Sequence, residues 1–339
     1  MKKKYIVSSV FIFLVAVFIC SAVWRHNSRT EENEQWCFCN KGQLVNNVKG
    51  KKGVDINIAN TWKKNQGNDT VIVGVIDSGV DFTCKELKHC IYTNTKEIPN
   101  NNVDDDNNGF IDDCNGWNFY DNNNVLYSSF TSDYHGTMIS GIIAGEHSSK
   151  GIFGIAPNVK VLPLKCFKGS EGGIEDVILA INYGYDQGVR IFNCSWDTSV
   201  CYDDLKQVMQ KYSDAIFICS GGKEAQDLDK KPVYPACYDL DNVICVGGVN
   251  SQGKIFDYSG YGKEVDIYAP GANIYCIMPE NTFVYSEGSS LSAAFVTGTI
   301  ALLKSQEPNI SVAQIKQRLS RCYNQSIKLN FLNVDEVCS

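Results

Sequence analysis

From Ser292 to Leu303 the chain reads Ser-Ala-Ala-Phe-Val-Thr-Gly-Thr-Ile-Ala-Leu-Leu, apolar or small on every face of a helix. Such a helix has no side to offer water, so other elements must pack all round it. The residues leading in, Glu287-Gly288-Ser289-Ser290, are polar and carry a glycine, the composition of a loop entering a helix N-terminus. A serine there stands where unpaired backbone N–H groups and the positive end of the helix dipole converge. Its hydroxyl can cap the helix, or it can be helped to carry developing negative charge. The stretch by itself leaves both readings open.

What surrounds that helix can be read upstream. Val71-Ile72-Val73-Gly74-Val75-Ile76 is a continuous β-branched run, the pattern of a strand buried on both faces, and it ends in Asp77-Ser78-Gly79. Carboxylates at the C-terminal edge of a parallel strand stand where α/β proteins place function, although a turn-forming aspartate is the plain alternative. His135-Gly136-Thr137-Met138 opens a second helix of small and apolar residues. Between and beyond these, helical stretches (Ile174 to Gln187, Tyr202 to Tyr212) alternate with strands beginning near Ile191 and Ala215 and a third over Asp241 to Val249. Ser311 with Gln314 is a capping box opening a C-terminal helix. Alternation of this kind predicts an α/β fold: a doubly wound, mostly parallel central sheet with helices on both faces.

Composition restricts the function classes. The 339 residues carry a net charge of -7 and no basic block beyond Lys2-Lys3-Lys4, which argues against a nucleic-acid partner. Those lysines precede an uncharged run from Tyr5 to Trp24, followed by Arg25. Residues 1–24 are therefore expected to be a cleaved signal peptide or a retained membrane anchor, with the remainder extracytoplasmic. Residues 25–50 read as a polar linker or N-terminal extension, 51–325 as the main domain and 326–339 as a C-terminal tail. A monomer is expected. Fifteen cysteines and four histidines show no zinc spacing. Cys194, Cys219 and Cys245 fall inside apolar strands and read as small hydrophobes. Export would permit disulfides, with Cys84–Cys90 and Cys322–Cys338 as candidate pairs.

Asp104-Asp105-Asp106-Asn107-Asn108-Gly109-Phe110-Ile111-Asp112 places oxygen ligands at alternate positions around a glycine turn. Asp104, Asp106, Asn108, the Phe110 carbonyl and Asp112 match the first nine positions of an EF-hand loop and suit a structural calcium ion. The twelfth position is Asn115 rather than glutamate, and a solvated acidic loop is the alternative.

The chain order Asp77, His135, Ser290 is the order of one serine-hydrolase triad type. The blocks Val-Ile-Asp-Ser-Gly-Val-Asp, His-Gly-Thr-Met-Ile-Ser-Gly and Gly-Ser-Ser-Leu-Ser-Ala-Ala-Phe-Val-Thr-Gly together resemble the three signatures of subtilisin-like serine peptidases, the subtilases. The resemblance runs from about residue 36 to 322 and includes Gly154-Ile155-Ala156-Pro157 and Tyr268-Ala269-Pro270-Gly271. It implies a serine endopeptidase acting on extended polypeptide without a catalytic cofactor. Ser290 would be the nucleophile, His135 the base and Asp77 its orienting partner. It also implies substrate-binding walls at Lys165 to Gly173, with Gly172, and at Ser195-Trp196-Asp197, over a floor of Ser220-Gly221-Gly222. The Ser290 backbone N–H would be one oxyanion donor. At the second donor the pattern breaks: Lys223 occupies the position where the family carries asparagine. The implied alternative is a pseudoprotease that binds peptide or a partner without cutting it.

Overall fold

The computed structural model describes residues 35–45, 47–148 and 152–339. Seven parallel strands form the central sheet: β1 Ile72–Asp77, β2 Trp117–Asn118, β3 Lys160–Lys165, β4 Ile191–Cys194, β5 Ile216–Ser220, β6 Val243–Val249 and β7 Ile267–Pro270. Their spatial order is β7-β6-β5-β4-β1-β3-β2. The chain builds outward from β1 in one direction through β3 and β2, then returns to β4 and builds in the other. β1 is therefore the switch strand, and its carboxyl end opens onto the crevice where such sheets bind ligands.

Side chains alternate across the sheet as the strand period requires. Val73, Val75, Ile216, Ile218, Ile244 and Val246 face one core layer; Ile76, Phe217, Cys219, Val243 and Cys245 face the other. The first layer is roofed by α1 Phe130–Ala144 and α4 Ser289–Gln306. The second is roofed by α2 Ile174–Asp186 and α3 Asp203–Lys211. In α4 every residue from Leu291 to Leu303 is buried, as the uniform apolar pattern demands. The doubly wound α/β expectation and the capping box at Ser311, which starts α5 Val312–Leu319, are both present.

Cys194, Cys219 and Cys245 lie side by side in register on β4, β5 and β6. Burial raises the Cys219 thiol, consistent with packing as small hydrophobes. Cys84, Cys90, Cys322 and Cys338 are free thiols, contrary to the candidate disulfides. Cys84 and Cys90 each donate locally, Cys84 to Asp81 and Cys90 to the Leu87 carbonyl.

The expected boundaries also change. Trp36 is fully buried and its indole N–H donates to the Ala272 carbonyl at 3.1 Å, so within the 25–50 stretch Trp36, Cys37 and Val45 belong to the core, while Leu44 and Lys41 stay exposed. At the other end Phe331, Leu332, Val334 and Val337 are buried, and Asp335 accepts from the Thr61 backbone N–H and hydroxyl. Residues 326–339 thus close the domain instead of forming a tail. Among the described residues no helix is long and apolar enough to cross a membrane. Tyr5 to Trp24, where an anchor or signal peptide is expected, lies outside the described residues.

Candidate active site

Asp77 is the last residue of β1, and His135 sits in the first turns of α1. The imidazole Nδ1 lies 2.9 Å from both carboxylate oxygens of Asp77. The Ser78 backbone N–H donates to Asp77 Oδ1 at 2.7 Å and fixes the carboxylate's orientation. This closeness depends on Gly136, where a Cβ would meet the Gly79 carbonyl oxygen at 2.2 Å. Any larger residue after the histidine would push the helix away from β1. Burial disfavours a charged His135, but the charge and hydrogen bond of Asp77 outweigh it and raise the imidazole above its usual value. The ring keeps about 15% of its side-chain surface exposed, so one edge remains accessible.

Ser290 is the second residue of α4, after Gly288, whose φ of +153° leads the chain into the helix without a capping side chain. Its Oγ donates to the Ser195 carbonyl at 3.0 Å, while Ser195 Oγ donates to the Ser290 carbonyl at 2.8 Å. A hydroxyl carries one proton, so in this rotamer Ser290 is not donating to His135. The structure joins Asp77 to His135 and holds Ser290 in a reciprocal pair with the end of β4. Behind that pair, Asn193 Nδ2 donates to Ser195 Oγ and Asn193 Oδ1 accepts from Thr297 of α4. Sequence reading overlooked this buried network; its signal was the lone polar Asn193 inside Ile-Phe-Asn-Cys.

Ser195, Trp196 and Asp197 follow β4; Ser220 ends β5, and Gly221 and Gly222 follow it. Both groups therefore lie at the carboxyl edge beside Ser290. Ser289 Oγ donates to the Gly222 carbonyl, tying the start of α4 to that floor. Gly172 belongs to a short hairpin, Phe167–Lys168 with Glu171–Gly172, and a Cβ on it would strike the Phe167 ring at 2.2 Å. Phe167 in turn packs on Trp196, ring centroids 5.6 Å apart. Lys223 is half-buried near Asp197. Burial raises the Asp197 carboxyl, the Lys223 charge pulls it down and Glu224 pushes it up.

Lys165 requires a correction. Its side chain has no exposed surface, and Nζ is 2.6 Å from Asp133 Oδ1, so it cannot line a groove for substrate.

The acidic loop also departs from its expected ligand set. Asp112 accepts from the Asn101 and Asn102 backbone N–H groups, and Asp104 from those of Asn108 and Gly109. Carboxylate oxygens of Glu97, Asp106 and Asp113 instead converge within 4.8 Å of one another. Asn94 bridges Asp106 and Asp113, Asn108 Nδ2 also donates to Asp113, and the Tyr183 hydroxyl donates to it at 2.6 Å. Burial raises the Glu97 carboxyl; the Asp106 and Asp105 amides pull it down, and the charges of Asp113 and Asp106 push it up. Of the expected carboxylates only Asp106 belongs to that group. Asp104 and Asp112 stay outside it, while Glu97 joins it and accepts from the Asp105, Asp106 and Asp112 backbone N–H groups.

Fold and site together define a class: an α/β protein presenting aspartate, histidine and a helix-entry serine, in that chain order, along the carboxyl edge of its sheet. The subtilase family model matches residues 68–332, and the chain belongs to the subtilase family. It is 31% identical over 255 residues to the major intracellular serine protease of Bacillus subtilis (strain 168), covering 73% of this chain and 72% of that protein. Subtilisin-like protease 2 of Plasmodium falciparum (isolate 3D7) is 31% identical over 259 residues, 74% of this chain but 18% of its own length. Among solved structures, a lanthipeptide protease superposes with a TM-score of 0.64 at 22% identity, covering 82% of this chain and 90% of its own. Fervidolysin from Fervidobacterium pennivorans gives 0.67 at 22% identity over 82% of this chain and 44% of its own. At that identity the two structures speak to the fold alone.

Proposed function

We propose that the chain is a serine endopeptidase that cuts extended polypeptide through an acyl-enzyme on Ser290. The observation that carries this reading is the Asp77–His135 pair, with Nδ1 held 2.9 Å from both carboxylate oxygens. That contact holds the proton on Nδ1 and leaves Nε2 as a base. Ser290 Oγ would rotate from the Ser195 carbonyl to Nε2, give up its proton and attack the scissile carbonyl carbon. His135 then protonates the leaving amine, and water, deprotonated by the same imidazole, releases the acyl group. The Ser290 backbone N–H at the start of α4 would stabilise the oxyanion, and Lys223 would stand at the second donor position. An extended peptide would lie along Ser195 to Asp197 and Gly172 over Ser220 to Gly222.

A second reading, a binding pseudoprotease, draws on Lys223 in the asparagine position and on the Ser290 hydroxyl bonded to Ser195. A fluorophosphonate probe separates the two. Labelling of the native chain that disappears in Ser290→Ala supports the peptidase. Peptide binding without labelling or turnover supports the pseudoprotease.

The oxygen-rich cluster of Glu97, Asp106 and Asp113 fits a hard cation, and we assign it as the seat of a structural calcium ion, with no part in the chemistry. Calcium there would balance three converging carboxylates and brace the loop leading to β2. We further propose a monomer located outside the cytoplasm, held or directed there by the 1–24 segment.

A further inference from the structure

The most heavily bonded charged pair among the described residues lies directly behind Asp77 and His135. Lys165 ends β3, in register with Asp77 on β1, and the Cys166 backbone N–H donates to the Asp77 carbonyl at 2.9 Å. The Lys165 ammonium crosses to the β1 side and donates to the carbonyl of Ser78, the residue after Asp77. It also meets Asp133 Oδ1 at 2.6 Å, and neither side chain has any exposed surface. Asp133 lies two residues before His135. Its Oδ2 accepts from the Ser128 backbone N–H and hydroxyl and from the Ser129 backbone N–H, and its Oδ1 accepts from the Ser132 hydroxyl. One carboxylate therefore gathers the whole entry to α1, and one ammonium ties that entry to the loop carrying Asp77.

We propose that the Lys165–Asp133 pair is a positioning clamp: it ties the Ser78 carbonyl to the first turn of α1 and so sets the reach between Asp77 and His135 Nδ1. The inference rests on the reading of His135 as the catalytic base. Two buried charges are costly to desolvate, and a well-packed apolar pair often serves stability equally well. What an ion pair adds is directional, since the ammonium fixes two acceptors on different elements at hydrogen-bond distance. Burial pushes the Asp133 carboxyl up, but Lys165 and the serine donors outweigh it and hold it below the usual range, so the carboxylate stays ionised at neutral pH. Charged side chains on the elements packed around α1 are Asp77, Lys165 and, at the far end of β3, Lys160, with Lys168 of the Phe167–Lys168 strand, Glu280 and the distant Lys304 of α4. Of these, Asp77 touches the His135 ring.

The test is the uncharged, near-isosteric double variant Lys165→Met/Asp133→Asn in the full chain, followed by NMR titration of the His135 ring, one of four histidines. A clamp predicts that the Asp77 contact loosens and the imidazole pKa falls by on the order of one unit, because that contact is what lifts it against burial. It also predicts kcat lower by about a hundredfold with KM within about twofold, the signature of a misplaced base. A fall in melting temperature with the His135 titration and kcat unchanged would make the pair merely structural and overturn the proposal. Should the double variant fail to fold, Asp133→Asn alone, which cuts the link at α1 while keeping the lysine on Ser78, is read by the same titration. If the native chain neither turns over peptide nor takes the probe, the peptidase reading fails, while the titration still decides the clamp.

Discussion

Replacing Asp77 by asparagine should cost the enzyme nearly all its turnover while leaving the fold intact, and the site geometry says why. Asp77 Oδ1 accepts from the Ser78 backbone N–H at 2.7 Å, so an asparagine would keep its carbonyl oxygen at that position. Its amide nitrogen would then occupy the place of Oδ2, 2.9 Å from His135 Nδ1. Two N–H groups cannot face each other at that distance. The imidazole must therefore move its proton to Nε2, the atom that has to receive the Ser290 proton. In serine peptidases the corresponding change lowers kcat by about 10⁴-fold, or about 5 kcal/mol of transition-state stabilisation. The same size of loss is expected here, because the wrong tautomer puts a proton on the atom that must accept one. The assay is the second-order rate of fluorophosphonate labelling together with kcat/KM on a quenched peptide, with circular dichroism and melting as fold controls. A folded Asp77→Asn protein that labels within about tenfold of the native rate would refute the tautomer argument and, with it, His135 as the base.

Three further outcomes are expected. Because Asp77 raises the His135 pKa, and the neutral imidazole is the working form, kcat/KM should climb with pH through a midpoint above about 6.5. The same raised pKa stabilises the fold fully below about 6.5, and that contribution is lost as pH rises through the folded value; an activity midpoint below 6 would contradict both. Lys223→Asn should raise kcat, since removing the corresponding asparagine from subtilisin costs about 10²–10³; a fall would instead identify lysine as an effective donor. Chelation should lower the melting temperature and added calcium restore it, and Asp113→Asn should abolish that response; a melt indifferent to chelator would remove calcium from the Glu97–Asp106–Asp113 cluster.

How far the sequence carried depended on whether a residue's partners were close in the chain. β1 and α4 were legible because each announces burial on all sides through local composition, and their ends then located Asp77 and Ser290. His135 was legible from the glycine beside it, which α1 needs in order to approach Gly79. The capping box at Ser311 is wholly local and appears as expected. Expectations failed where the decisive partner was remote. Trp36 fell in a stretch read as a polar linker, yet its indole N–H donates to the Ala272 carbonyl, 236 residues away. Asp335 looked like part of a tail until it met Thr61.

Charged residues show the same limit most sharply, because a charge in sequence has no sign of its own for inside or outside. Lys165 sits at the end of a β-strand beside the expected groove, where a solvated lysine facing substrate is the ordinary reading. Only the fold brings Asp133 and the Ser78 carbonyl to it and turns it inward. In the acidic loop, alternate spacing pointed to a region rich in side-chain oxygens, but spacing cannot say which carboxylates converge. Asp104 and Asp112 accept from backbone N–H groups away from the cluster, and the carboxylates that converge with Asp106 are Glu97 and Asp113, which the linear motif never included. Both cases follow one rule: a buried charge must be paired or hydrogen-bonded, and its partner is chosen by three-dimensional proximity, which the chain order of this protein does not encode locally. Asp77, His135 and Ser290 escaped that limit only because each stands at the edge of an element whose burial was itself readable.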